Sequence, residues 1–487
     1  MVIKGTKSTP MLGTTGAPIC QVECEDQIAQ KHPAASLTPD SILPVDNSVF
    51  KLWRLLDDSC DISFAHLLSC RFFRAANPKS ALYVEELGRA RASGFVATKY
   101  SIEREISCNL HLWSYLDEIM KKECNSTCLY ISCSGQEVFL WILKTSGAIY
   151  FRKITVDNNN PLTKLAPHLN AVFAIVANSI FSEEDCNDQS VHDIEPGSSQ
   201  ILTWCHKLFI NPVSGLLEEP SILVVPEGGL CLVPYAALLD DKSGKYLSET
   251  FRIRIVPSLT TLKLIQDSPA DYHSQTGALV VGDPTVGEVI YRGRVSRKFV
   301  PLPGARREAE MVGRLLGVQP LLAQYATKQA VLQRLTSVSL IHIAAHGNAE
   351  RGEIALAPLD PSNVTLREDD YLLTMSDISQ VQLRAKLVVL SCCHSGRGQI
   401  RSEGIIGIAQ AFLGSGARSV LVALGALNDA ATEQLMCRFY ERLVRGERAS
   451  ESLHQAMKWM RANGFTKVSD WAPFTLIGDD VTFDFRE

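Results

Sequence analysis

A chain of 487 residues is long enough for two or three hydrophobic cores, and 46% apolar with 21% charged residues describes an ordinary globular protein. A net charge of −5 leaves no basic footprint for nucleic acid, and no apolar run reaches the roughly 18 residues that a membrane helix needs. The N-terminus lacks the apolar stretch of a signal peptide and fourteen cysteines are scattered through apolar segments as reduced thiols, so a cytoplasmic protein is expected.

Residues 1–47 are rich in Ser, Thr, Pro and Gly with little periodicity and read as a flexible leader. From 48 to 100 the texture is helical. Phe50, Trp53, Leu55 and Leu56 recur at helical spacing, then Phe64, Leu67, Leu68 and Phe72, then Ala81, Leu82, Val84, Leu87 and Ala90. This region is either the end of a tetratricopeptide-like repeat array or a small helical cap. Residues 110–270 are expected to form a first α/β lobe. Strands are predicted at 129–131, 137–143, 148–154, 221–225 and 251–256, with helices at 162–181 and from Ser258, and an acidic loop at 183–199. Residues 275–487 alternate more regularly, with strands at 278–282, 339–344, 386–391, 419–424 and 474–477. The helices between them are predicted at 305–316, 327–335 (N-capped by Thr327), 404–413, 430–444 and 450–460. Such alternation implies an α/β fold, a mostly parallel sheet flanked by helices, in two lobes behind a small helical N-terminal region.

One stretch organises the second lobe. Leu387-Val388-Val389-Leu390 runs directly into Ser391-Cys392-Cys393-His394-Ser395-Gly396. An unbroken apolar run fits a strand buried on both faces, and the Ser-Gly-Arg-Gly that follows supplies a tight turn. Two thiols and an imidazole therefore sit at the C-terminal edge of a core strand, where open α/β sheets carry their chemistry. The predicted strand upstream ends in His346-Gly347. If the two strands are neighbours their ends lie roughly 5 Å apart, and His346 and Cys393 face one crevice. Gly347 lets the backbone approach closely, so its N–H and that of Cys393 form an oxyanion site. Side chains alternate along a strand, which gives Cys392 a packing role and leaves Cys393 as the nucleophile. His342 lies deeper on the same face as His346 and reads as a hydrogen-bonded core histidine. His394 reads as a solvated turn residue or as a cation that tunes the thiolate.

With no acidic residue evidently placed to orient His346, a Cys–His dyad is expected. Asp429 lies just past the 419–424 strand on the same edge, placed either to bind a guanidinium or to cap the helix beginning at Ala430. The polar segment 399–403 reads as a mobile loop suited to switching. No metal is expected. Cys124, Cys128 and Cys133, like Cys20 and Cys24, lack a matching second pair, and adjacent residues such as Cys392, Cys393 and His394 rarely converge on one tetrahedral ion.

The same residues carry a resemblance. Ile343-Ala344-Ala345-His346-Gly347, Leu390-Ser391-Cys392-Cys393-His394-Ser395-Gly396 and Glu403-Gly404-Ile405-Ile406-Gly407-Ile408-Ala409-Gln410-Ala411-Phe412-Leu413 resemble the CHAT family. So do Leu223-Val224-Val225-Pro226-Glu227-Gly228, Leu302-Pro303-Gly304-Ala305 and Asn428-Asp429-Ala430-Ala431-Thr432. These are caspase-like peptidase domains, usually joined to tetratricopeptide repeats. The resemblance implies a cysteine endopeptidase with His346 as the catalytic histidine, Cys393 as the nucleophile, no cofactor, and a protein substrate. It also implies that Asp429 reads a basic residue before the scissile bond, as the related separases do with Arg. Departures are Cys392 where the family has Ala, His394 near its Glu, and Gly425 at its Trp. Activation under control of the N-terminal helical region or a protein partner is expected, with neither nucleic acid nor membrane as a partner. The alternative is a catalytically silent CHAT scaffold that binds protein partners.

Overall fold

The structure is a computed structural model that describes residues 78–92, 112–157, positions 169, 172, 173, 175 and 180, then 196–269, 271–291, 295–348, 351–360, 367–401 and 404–485. The expectations for 1–47, for the helices up to residue 72, and for most of 162–195 lie outside the described residues. The described residues all belong to a unit spanning Asp61–Glu487.

In chain order, α1 (Pro78–Ala92) and α2 (Leu112–Lys122) precede β1 (Ser126–Ser134), β2 (Glu137–Leu143) and β3 (Ile149–Thr155). Next come α3 (Pro196–Phe209), β4 (Ser221–Val225), β5 (Arg252–Ile255) and α4 (Leu259–Gln266). The C-terminal part opens with β6 (Ala278–Pro284), the β7 (Glu288–Tyr291) and β8 (Val295–Lys298) hairpin, α5 (Pro303–Leu316), β9 (Leu321–Ala323) and α6 (Lys328–Arg334). It continues with β10 (Leu340–Ala345), the small β11 (Ile354–Ala355) and β12 (Leu372–Leu373) pair, and β13 (Leu387–Cys392). The chain ends through β14 (Gly398–Arg401), β15 (Gly404–Gly407), α7 (Ile408–Gly414), β16 (Ser419–Ala423), α8 (Asp429–Leu443), α9 (Ala449–Ala462) and β17 (Phe474–Gly478).

Eleven of these strands form one sheet in the order β3-β2-β1-β4-β5-β17-β16-β13-β10-β6-β9. Pairing is parallel except for β1–β2, β2–β3 and β16–β17, so the fold is α/β with a mostly parallel sheet. Strands from 126–255 and from 278–478 share this single sheet. Alternation sorts the side chains of the central strands between two helical layers. Leu340, Leu387, Val389 and Leu421 pack with Ala309 and Val312 of α5 and Leu435, Met436 and Phe439 of α8. Ile341, Ile343, Val388, Leu390, Cys392, Val420 and Val422 pack on the opposite face with Val331 of α6 and Phe412 of α7. Each fully buried Leu, Val or Ile contributes about 1.5–3 kcal/mol of hydrophobic stabilisation, which holds the register of these strands.

On the far side of the sheet α1 is tied in by a buried cation. Arg89 donates to the carbonyls of Ile131, Val225 and Pro226 at 2.8–3.3 Å and lies over the Tyr130 ring. Glu86 accepts from the Thr260 backbone and hydroxyl at 2.6 and 2.7 Å, its carboxyl pushed up by burial.

Two predicted elements differ. The segment 404–413 is not one helix: Gly404–Gly407 is strand β15, and only from Ile408 does helix begin. The Ile405-Ile406 pair between glycines favours the extended form, and β15 finds a partner in β14. The presumed mobile loop 399–403 thus lies largely in that hairpin. The acidic loop 183–199 ends early, because α3 begins at Pro196.

Candidate active site

Strands β10 and β13 are hydrogen-bonded parallel neighbours with Ala345 opposite Cys392, so the residues following each strand, His346 and Cys393, leave the sheet side by side. His346 is buried and Cys393 is 8% exposed, and both line a narrow cleft of about 40 Å³. Glu308 of α5, Asp429 of α8, Leu302 and Leu427 line it with them. A methyl group on Gly347 would collide with the Cys393 carbonyl oxygen, so glycine is required where the two strand ends meet. The bridge between Gly347 and Ile354 runs through the Asn348 N–H and the His346 carbonyl, which keeps the Gly347 N–H out of that pair.

Cys392 points to the other face. Its thiol donates to the Ile343 carbonyl at 3.3 Å inside the α6–α7 core, as alternation requires. The turn after β13 is pinned to the end of β16. His394 N–H donates to the Gly425 carbonyl at 2.9 Å and Gly396 N–H to Ala423 at 2.8 Å. The Ser395 hydroxyl donates to the Leu390 carbonyl and accepts from Ala423 N–H, each at 2.9 Å. These bonds hold His394 in a left-handed conformation, φ 61°, sparsely populated by non-glycine residues. His394 is not solvated: it is 4% exposed, and burial together with Arg397 lowers its pKa to about 4. A neutral imidazole cannot tune the thiolate by charge. The Cys393 sulfur instead accepts the Leu427 N–H at 3.4 Å.

His346 is oriented by a backbone group that sequence reasoning missed. Its Nε2 lies 2.8 Å from the Val300 carbonyl oxygen, and its ring meets Phe299 edge-on at 5.2 Å. A carbonyl can only accept, so Nε2 carries the proton and Nδ1 is the basic nitrogen. The Val300 segment is itself held at both ends. Phe299 N–H donates to Gly287 at 2.9 Å, and Asp283, at the end of β6, accepts from Leu302 N–H at 2.7 Å and Arg306 Nε at 3.2 Å. The signal for Asp283 was faint, a lone acid ending a strand. We expect Asp283→Ala to lower turnover by between about ten- and a hundredfold with peptide KM little changed, since the imidazole loses its set position rather than its chemistry. An unchanged kcat would leave Asp283 with a purely structural role.

His342 is a core histidine as expected, its Nδ1 3.0 Å from the Tyr440 hydroxyl. Asp429 is exposed and is the first residue of α8, not its cap. The cap is Asn428, whose side chain accepts from Ala431 N–H at 3.0 Å. Among the described residues no cluster of three or more His, Cys, Asp or Glu side chains could hold a metal, and no helix is long and apolar enough to cross a membrane.

A mostly parallel α/β sheet with a thiol and an imidazole at adjacent strand ends defines the caspase-like class. The chain belongs to the CHAT domain family, whose model matches residues 199–479. It is 32% identical over 322 residues to tetratricopeptide repeat protein 28 of Homo sapiens and of Mus musculus, covering 57% of this chain. The chain spans only 13% of the length of those relatives. Among solved structures it is similar to a chain of the Saccharomyces cerevisiae separase–securin complex, with TM-score 0.58 and 12% identity over 96% of this chain and 38% of that one. A second structure of that complex gives TM-score 0.52 at 11% identity, over 95% and 38%. At such identity the likeness concerns the fold alone.

Proposed function

We infer that the protein is a cysteine endopeptidase acting on protein substrates through Cys393 and His346. The observation that carries this reading is their joint emergence from neighbouring parallel strands into one cleft, with the His346 tautomer set by the Val300 carbonyl. In this mechanism the Cys393 thiolate attacks the scissile carbonyl while the N–H groups of Gly347 and Cys393 receive the developing oxyanion. His346 protonates the leaving amine, then activates water to hydrolyse the acyl-enzyme. The cut falls after a basic residue, attracted by Asp429 at the cleft rim. No cofactor takes part, and a cytoplasmic location suits the free thiols at Cys124, Cys128, Cys133 and Cys205.

The reading includes regulated activation. The cleft is narrow, and the loop that carries Leu427 lines one side of it. The Leu427 N–H on the Cys393 sulfur closes the same loop over the nucleophile. Such control belongs to a protein partner or the N-terminal region, with the domains organised as 1–47, 48–100, 110–270 and a catalytic 275–487.

Peptide-library profiling of wild type and Asp429→Asn, repeated on a chain beginning at Asn77 that retains α1, tests this reading. Cleavage after Arg or Lys, weakened several-fold by the substitution and faster in the shortened chain, is expected. A preference for acidic or apolar residues, unmoved by Asp429→Asn, would leave Asp429 without a role in specificity.

A further inference from the structure

We propose that the cleft is a two-carboxylate site for a basic side chain, and that buried Glu308, rather than Asp429 alone, anchors the cation. The inference rests on reading this cleft as the substrate cleft. Both acids line it beside His346 and Cys393, and none of its described lining residues is Lys or Arg.

The two acids differ in what supports their charge. Asp429 is exposed and sits in the first turn of α8. It also packs against Gly304 in the first turn of α5, where a methyl group would come within 2.7–2.9 Å of the Asp429 side chain. Two helix N-termini and solvent thus stabilise its carboxylate. Glu308 has neither. It is 2% exposed in the middle of α5, and its Oε1 accepts no hydrogen bond. At that atom His342 Nε2 stands 3.2 Å away, out of hydrogen-bonding alignment and likewise without a bond. The other ring nitrogen of His342 is taken by Tyr440. A buried carboxylate is costly unless it is paired and hydrogen-bonded, so an acid left this way on a cleft wall is suited to a cation that arrives from outside.

The apolar part of the lining suits the stem of that cation. Leu302, Ala305 and Leu427 supply apolar walls for an aliphatic stem, and Glu308 lies at the buried end with Asp429 at the rim. Such a site selects a long side chain with a terminal positive charge. A guanidinium suits it better than an ammonium, being less strongly hydrated and forked for carboxylates.

The test uses n-butylguanidinium and its neutral isostere n-butylurea as probes, titrated by calorimetry into the full chain carrying Cys393→Ala. The cation is expected to bind at least about tenfold more tightly than the urea. Adding Glu308→Gln, which preserves shape, should cost about tenfold in that affinity, and Asp429→Asn less. In the wild type, n-butylguanidinium but not n-butylurea should slow alkylation of Cys393, which locates the cation in the cleft without any change to its floor. Equal binding of the two probes, or an affinity indifferent to Glu308→Gln, overturns the proposal. If Glu308→Gln fails to fold, the protection experiment repeated on Asp429→Asn decides: protection retained keeps the proposal, and protection abolished overturns it. Cleavage of proteins without cation binding would sink this inference and spare the peptidase reading. Cation binding without cleavage would do the reverse.

Discussion

Cys393→Ala and His346→Ala are each expected to reduce cleavage to background, a loss of about 10⁴-fold or more, while Cys392→Ala retains most of it. The contrast follows from the pleat. Cys392 is the last residue of β13 and donates its thiol to the Ile343 carbonyl inside the α6–α7 core. Removing it discards packing and one weak hydrogen bond, a stability cost of about 1–2 kcal/mol read in thermal unfolding. Cys393 shares the cleft with His346 and has no substitute as nucleophile. Alkylation mapped by mass spectrometry gives a readout that needs no substrate: an enzyme labels selectively at Cys393, and a silent scaffold does not. Should Cys392→Ala kill activity and Cys393→Ala spare it, Cys392 is the nucleophile and the mechanism through Cys393 fails.

The sequence made the centre of the site legible because two simple periodicities act there. Continuous apolar runs named β10 and β13 as doubly buried strands, and alternation separated Cys393 from Cys392. What escaped was non-local or carried by the backbone. The Val300 carbonyl on His346 involves no side chain, so no residue type could announce it. Asp283 acts through the Leu302 N–H, 19 positions away, and nothing in the spacing links them. Glu308 falls within an amphipathic helix, where a charged residue reads as solvent-facing until packing places it inside. The 398–407 hairpin was missed because two isoleucines near Ile408 mimic a helical stripe, and only pairing with 398–401 decides between helix and strand. His394 was misplaced for a related reason. A polar residue after a strand is usually solvated, but here the turn folds back onto the end of β16 and buries it.

That burial has a thermodynamic consequence with a definite sign. His394 and His273 both titrate near 4 in the folded protein, held neutral chiefly by burial, against an ordinary value of about 6.5. Between those two values the unfolded chain takes up a proton that the fold excludes. The stabilisation is therefore fully present above about pH 6.5 and is lost as the pH falls towards 4, by about 3 kcal/mol for each histidine. His206 and His454 are lowered by burial in the same direction, whereas the buried carboxyls of Glu86 and Glu123, pushed up by burial, oppose it. The net slope mixes these groups, so the measurement has to isolate one. His394→Asn does so, because asparagine tolerates the left-handed backbone at this position. Denaturant unfolding at pH 7 and pH 4.5 should show the variant losing about 2–3 kcal/mol less than the wild type over that interval. Equal losses in the two proteins would mean that His394 is solvated or protonated in the folded state, and that the turn behind Cys393 is looser than its hydrogen bonds to β16 require.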